Sequence, residues 1–532
     1  MGADNSSSDG ARVSNEKHHP SSNNEKKADS ASGRSADIET GEAEEGLNRD
    51  LQGRHLQFIA IGAALGTGLF LGIGGALAFS GPGSLLIAFV FVGSIVYSLM
   101  TALGEMAAYI PVAGSFTVYA SRFVDPTLGF SMGWIYWFSW VITYGLELTA
   151  AGRIIQYWNE SLSIGIWIAV FWILFTGANF LPVRWFGEIE MYLSSIKVIT
   201  ILGFIILGIC VNAGVGDEGY IGFKYWHKPG AFAEYDDGSL HVKGKIGQFV
   251  GFWAVMVTAG FSYQGTELVG VGAGECANPR KTIPKTIRST FWGIFALFIA
   301  TVFFVAINVP YDAKELSNDS QDANASPLVL VATRAGIKTL PSIINAVLLT
   351  AVLSAANSDL YSASRILIGL ADEGHAPQFF KKTTSWGTPY WSVAACSVFG
   401  WLGFLNLNNN SAQVFSWLLN ITAVAGFITW ALINACHIRF MKVLKAQGID
   451  RSTLPYVAPF QPYLSWFGIF FNVLILMTSG FTVFIKWDTS NFFAAYVSVI
   501  LFAVLYVGHK LVFRTKVVPL TEVDIVRGRS DA

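Results

Sequence analysis

Between Leu56 and Phe513 the chain alternates long apolar runs with shorter polar stretches. About twelve runs approach the roughly 20 residues that a helix needs to cross a bilayer. They lie near 56–79, 84–104, 128–152, 164–181, 190–212, 248–272, 290–309, 342–367, 389–407, 413–435, 463–484 and 491–513. The pattern predicts an all-α polytopic membrane protein with twelve transmembrane helices. Residues 1–50 contain no apolar run and are rich in Ser, Asn, Glu, Lys and Gly, so they bury too little surface to offset the entropy of ordering. The predicted organisation is a disordered N-terminal tail (1–50), a twelve-helix domain (51–515) and a short C-terminal tail (516–532). The first tail lacks the apolar core of a cleaved signal peptide, so the first membrane helix is expected to direct insertion.

Two of the runs are interrupted. In Ile61-Gly62-Ala63-Ala64-Leu65-Gly66-Thr67-Gly68-Leu69-Phe70-Leu71-Gly72-Ile73-Gly74, two glycines flank a lone hydroxyl residue. Each glycine costs a helix interior about 1 kcal/mol relative to Ala, and an unsatisfied backbone group in hydrocarbon costs several kcal/mol more. Two readings fit: close packing against a neighbouring helix, or a break whose amides face an anion and whose carbonyls face a cation. Gly265-Thr266-Glu267-Leu268-Val269-Gly270-Val271-Gly272 repeats the pattern in the sixth run. Paired interruptions point to a transporter site near the bilayer midplane. They predict an inverted five-plus-five repeat core, with the last two helices outside it and helices 1 and 6 unwound at Gly66–Gly68 and near Gln264–Thr266.

Composition agrees: 52% of the 532 residues are hydrophobic and 13% charged. The net charge of -1 gives no reason to expect a nucleic-acid partner. Placement of the cations is more informative. Arg280, Lys281, Lys285 and Arg288, then Lys381 and Lys382, then Arg439, Lys442, Lys445 and Arg451 fall in predicted loops on the side of both termini. By the positive-inside rule that side is the cytoplasm. Sequons beginning at Asn159, Asn318, Asn324 and Asn409 fall on the other side. Lys17, Lys26 and Lys27 of the N-terminal tail are either regulatory modification sites or part of a solvated tail. Cys210, Cys276, Cys396 and Cys436 have neither metal-ligand spacing nor a disulfide pattern and are read as packing residues. No nucleophile and base pair, nucleotide loop or metal cluster is recognisable, so neither an enzyme nor a cofactor is expected.

Ionisable residues at membrane depth cost at least about 2.5 kcal/mol at a helix centre and are functional candidates by default. Glu147, Lys197, Glu267 and Arg365 qualify. Glu147 reads either as a hydrogen-bonded carboxyl tying helices together or as a proton carrier or substrate counter-charge. Ser139, Thr143 and Glu147 recur every four residues, a polar strip facing the bundle. Lys197 is read as lacking an acidic neighbour in its own helix, so it needs carbonyls or a carboxylate from another. Arg365 reads as snorkelling to the headgroups or as part of a gate.

Several longer motifs then carry a resemblance: His55 to Gly83, Gly104-Glu105-Met106-Ala107-Ala108-Tyr109-Ile110-Pro111 onward, Leu146-Glu147-Leu148, Gly272 to Pro284, and Ser354-Ala355-Ala356-Asn357-Ser358 with Ser364-Arg365. Over about residues 47–515 the chain resembles the fungal amino acid permeases of the amino acid/polyamine/organocation superfamily. The resemblance implies a proton-coupled importer of amino acids in the plasma membrane. It assigns Thr67 and the amides of Gly66 and Gly68 to a substrate carboxylate, and the Ala64 carbonyl with groups around Phe261, Ser262 and Gln264 to the ammonium. Phe261 is implied as a lid, and Glu147, Lys197 and Glu267 as proton-coupling groups. Phe138-Ser139-Trp140, Ile142 to Glu147 and Leu419-Asn420-Ile421-Thr422 resemble the lysine and arginine permeases, with Ser139, Thr143 and Thr422 implied in selectivity. A permease for neutral amino acids or proline, or a sensor of the same fold, is the alternative.

Overall fold

The structure is a computed structural model, and it describes residues 53–529 apart from 113, 160, 238–239, 277, 317–325 and 408–410. The expected N-terminal tail, with Lys17, Lys26 and Lys27, and the sequons at Asn318, Asn324 and Asn409 lie outside the described residues. The fourth sequon, at Asn159, is exposed.

All twelve apolar runs have a helical counterpart. The first crossing is α1 (Gly53–Ala64), a π-helical turn (Gly68–Gly72) and α2 (Ile73–Ser80). The second is α3 (Pro82–Tyr109). A short α4 (Phe116–Tyr119) and a π-turn (Ala120–Val124) lead to α5 (Pro126–Gln156). Then come α6 (Ile164–Asn179) and α7 (Val183–Asn212), an antiparallel hairpin of β1 (Tyr235–Asp236) and β2 (His241–Val242), and the sixth crossing, α8 (Gly244–Tyr263) with α9 (Leu268–Val271). The second half contains α10 (Pro279–Asn308), α11 (Pro327–Arg334) in an outer loop, α12 (Leu340–Asp372) and α13 (Tyr390–Ser397), which a 3-10 stretch (Val398–Leu407) continues. It ends with α14 (Ser411–Ala446), α15 (Tyr463–Thr478), α16 (Phe481–Ile485) and α17 (Thr489–Phe513). Nine helical spans among the described residues are long and apolar enough to cross a membrane. The more polar α5 and the shorter apolar α6 and α15 supply the other three crossings.

Local chemistry fixes the ends. Asp125 accepts from the Thr127 amide (2.9 Å) before Pro126 at the first position of α5, and Asp488 caps α17 through the Asn491 amide, both satisfying donors that a helix start leaves open. Two expected loops prove to be largely helical. Arg280, Lys281, Lys285 and Arg288 lie on the first turns of α10, and Arg439, Lys442 and Lys445 on the last turns of α14. Lys and Arg are good helix formers, so the helices continue past the apolar stretch into the interface.

The packing follows the repeat. In the first crossing α1 lies against α7, α10 and α12, and α2 against α8, while α3 runs along α10 and α5 along α12. The last two crossings attach to α14, α3 and α5 from outside. After α17 the chain turns back: the Val518 amide donates to the Val124 carbonyl (3.0 Å), Gln447 Nε2 to the carbonyls of Leu520 (3.2 Å) and Val523 (2.8 Å), and Val523 and Ile525 are buried.

Candidate functional site

The two breaks meet. The first helix is interrupted at Leu65 and Gly66 and resumes at Thr67, so the break begins one residue and ends two residues before the expected Gly66–Gly68. The second interruption runs over Gln264–Glu267, with Gly265 at φ +93°. A Cβ on Gly265 would lie 2.9 Å from the Ala63 Cβ and 3.2 Å from the Ala64 amide nitrogen. One on Gly68 would lie 2.7 Å from Ser262 Oγ and 2.8 Å from its Cα. Only glycine permits this approach, and at Gly265 only glycine takes the backbone conformation without strain.

The breaks border a cavity whose empty space, its open mouth included, is ≈ 470 Å³. Ala64, Gly66, Thr67 and Gly68 line it from the first crossing, and Phe261, Ser262, Gln264 and Glu267 from the sixth. The α5 strip of Ser139, Thr143 and Glu147 faces it as expected. Tyr136, Trp140, Asp359 and Gly426 also line it; the sequence points to Trp140 only within the Phe138-Ser139-Trp140 motif and to the other three not at all.

Its polar groups form two sets. At the first break, the Thr67 amide donates to Glu147 Oε1 (3.3 Å) and the Thr67 hydroxyl donates to Glu147 Oε2. The Gly66 amide donates to the Ala64 carbonyl (3.1 Å). The protein's own Glu147 carboxylate therefore stands on Thr67, one of the groups that the resemblance assigns to a substrate carboxylate. At the second break, the Tyr136 hydroxyl donates to Glu267 Oε1 (3.4 Å), and Trp430 lies beside the same carboxyl. Asp359 is buried, and its Oδ2 has no hydrogen-bond partner. The lining contains three carboxylates and no Lys, Arg or His, so it can solvate a cation far better than an anion.

Lys197 and Thr422 stand one layer back. Lys197 is fully buried on α7, and its Nζ donates to the Gly62 carbonyl at 2.5 Å, one of the carbonyls just before the break. Glu190, Glu147 and Asp359 are its charged neighbours. Glu190 lies on the same helix, seven residues before Lys197, which corrects the reading that this helix carries no acidic neighbour. Its Oε1 accepts from the hydroxyls of Ser354 (2.8 Å) and Ser194 (3.3 Å). The Thr422 hydroxyl donates within α14 to Leu418 (2.8 Å), and the Thr422 carbonyl accepts from Gln264 Nε2 (2.8 Å), so Thr422 meets the cavity through Gln264. Arg365 lies over the Tyr361 ring, 4.9 Å from its centroid, away from the cavity.

Comparison with known proteins adds identity to this geometry. The sequence profile of the amino acid permease family matches residues 55–520. The basic amino-acid permease of Saccharomyces cerevisiae is 43% identical over 482 residues, covering 90% of this chain and 84% of that protein. The lysine-specific permease of the same yeast is 42% identical over 486 residues, covering 91% and 79%. Its dicarboxylic amino acid permease is 43% identical over 487 residues, covering 90% and 79%, so identity alone does not sort relatives by substrate charge. A match that runs through all twelve crossings does not rest on one shared segment: the chain belongs to the amino acid permease family of multi-pass membrane transporters, which are not enzymes.

Proposed function

We propose that this permease imports cationic amino acids, chiefly lysine or arginine, together with protons across the plasma membrane, with both termini cytoplasmic. The carrying observation is the cavity wall, in which Glu147, Glu267 and Asp359 face the same space with no basic side chain among them. A cation leaving water loses hydration worth several kcal/mol and needs carboxylates or acceptor dipoles in return. A second carboxylate on the substrate side chain would meet like charges here. This favours the function named for the basic and lysine-specific relatives over that named for the dicarboxylic one.

In this reading the substrate carboxylate replaces Glu147 on the Thr67 amide and hydroxyl. Glu147, released, faces the α-ammonium or takes up a proton. The carbonyls near Ala64, together with Ser262 and Gln264, hold the ammonium beneath Phe261. Ser139 and Thr143 face the side chain, and Thr422 tunes the site through Gln264. Lys197 and Glu267 take part in proton coupling, and the charge asymmetry of the α10 and α14 ends supports the orientation. The test is uptake of labelled lysine competed by arginine, histidine, glutamate, proline and leucine. Strong competition by arginine with little by glutamate or proline is expected. Inhibition by proline or leucine with lysine itself not transported would overturn the cationic assignment.

A further inference from the structure

A second cavity, with ≈ 740 Å³ of empty space including its open mouth, shares no lining residue with the first and lies between α3, α10 and the segment that joins α14 to α15. Tyr97, Phe291 and Trp292 form one wall: the Tyr97 ring centroid is 5.1 Å from that of Phe291 and 6.0 Å from that of Trp292. Met100 and Ile287 deepen it, and Tyr456 and Pro459 close the opposite side. Trp292 is 51% exposed, so the groove opens sideways on the surface of the bundle. Arg288 stands at the same groove and is exposed.

The charge around it is one-sided. Arg280, Lys281, Lys285 and Arg288 share the first turns of α10, and none of them takes part in an ion pair among the described residues. Burial first, then Tyr97 and Glu105 nearby, push the Tyr456 phenol up to about 12, so it remains a hydrogen-bond donor. The Tyr456 segment is firmly held. Arg451 donates from Nε and Nη2 to the two oxygens of Glu105 on α3 (2.5 and 2.6 Å), and the Ala458 amide donates to Glu105 Oε2 (2.6 Å). The groove is thus a built cleft with an aromatic slot and a cation at its rim.

We infer that this groove binds one anionic glycerophospholipid, its phosphate on Arg288 and Tyr456 and an acyl chain along Tyr97, Phe291 and Trp292. The arrangement matches such a molecule in both parts. An apolar slot alone would accept any lipid, and a surface cation alone would attract any anion. A lateral opening beside Trp, at the end of a crossing helix, lies where headgroup and chain meet.

The experiment uses full-length protein purified in neutral detergent and incubated with phosphatidylserine or phosphatidylcholine, bound lipid being counted by native mass spectrometry. One phosphatidylserine is expected to persist under activation that strips phosphatidylcholine. Arg288→Gln should reduce the singly bound fraction by about fivefold, the worth of one cation at an anionic surface. Arg288→Lys should retain most of it, Trp292→Ala should lower it, and Arg280→Gln, outside the groove, should leave it unchanged. Equal retention of the two lipids, or an Arg288→Gln protein that binds as the wild type does, overturns the inference. Displacement of phosphatidylserine by inorganic phosphate alone would make this an anion site rather than a lipid site. If Arg288→Gln does not survive purification, the wild-type selectivity and Trp292→Ala decide.

Discussion

Asp359 and Glu147 face one cavity from different helices, yet their hydrogen bonding differs. Both Glu147 oxygens accept from Thr67, whereas Asp359 Oδ2 accepts from nothing. A buried carboxylate oxygen without a donor is costly, and an incoming cation relieves that cost. Asp359→Asn keeps the shape and removes the charge, so it should raise KM for lysine by about ten- to a hundredfold, at roughly 1.4 kcal/mol per tenfold. Inhibition of the residual lysine uptake by amino acids with uncharged side chains should change less. Kinetics of labelled uptake with both classes of competitor measure this, and an unchanged KM would remove Asp359 from the site. Asp359 is hard to read from sequence because Asn357, Ser358 and Asp359 are consecutive and all buried, and only packing decides which of the three reaches the cavity. Glu190 was missed for a different reason. Its apolar run was taken to begin there, as if at the interface, but α7 starts at Val183, two turns earlier, which places Glu190 inside the bundle. The Thr67 break and the α5 strip are legible because glycine punctuation and four-residue spacing survive in any packing, whereas Ser262 is reached only through the resemblance.

At the scale of elements, the contact between the two broken helices rests on absent side chains. Gly68→Ala would force a Cβ to 2.8 Å from the Ser262 Cα and 2.9 Å from Phe261 Cδ1, and backbone atoms cannot give way cheaply. Gly265→Ala adds to a 2.9 Å contact a strained φ of +93°, about 1–2 kcal/mol by itself. Both variants should lose most uptake. Gly75→Ala, in α2 with nothing within 4 Å of the added Cβ, should keep it, with size-exclusion profiles separating misfolding from a blocked site. The helix breaks were readable from the sequence, but the ends of α10 and α14 were not, since hydropathy marks where apolar character stops rather than where the helix does.

The returning C-terminal segment is held by several ionised groups: Arg439 and Arg122 donate to the carbonyls of Val518 and Arg527, and Asp125 binds Lys510 and Thr515. Burial alone would raise the Asp125 carboxyl, but Lys510, the Thr515 hydroxyl and the Thr127 amide outweigh it and hold the group below the usual carboxylate range. A depressed carboxyl stabilises the folded state above its unfolded pKa of about 3.9, and that contribution fades as pH falls through the lower folded value. Acidification below about pH 4 should therefore loosen this attachment, and Asp125→Asn should loosen it at neutral pH. Proteolysis between residues 514 and 529 by an acid-tolerant protease reads the first effect and by trypsin the second. Unchanged cleavage of Asp125→Asn would show that the side-chain bonds from Gln447, Arg439 and Arg122 to the segment's carbonyls suffice.

On the scale of the whole molecule, the question is how substrate arrival is tied to an ion gradient. Lys197 links the first broken helix to the buried acids: its Nζ binds the Gly62 carbonyl ahead of the break, and Glu190, Glu147 and Asp359 are its charged neighbours. One ammonium balances one of three acidic groups, and an unbalanced charge in a dry interior costs several kcal/mol, so under the proposed function the proton count of this cluster changes when a cationic substrate enters. The Gly62 carbonyl is also the kind of ligand a sodium ion would use, and here a lysine already occupies it. Proteoliposomes should therefore accumulate lysine in response to an inward proton gradient with no sodium present. Lys197→Gln retains a donor for Gly62 but loses the charge. It should abolish accumulation driven by the pH gradient while preserving some exchange of labelled for unlabelled lysine, because exchange needs binding and conformational change but no net proton flux. Loss of both activities in a protein that folds as the wild type does would make Lys197 a structural strut for the first helix. Accumulation by the wild type that followed sodium and ignored pH would refute the coupling altogether, and would leave Gly62 and Lys197 as packing partners beside a site driven by another ion.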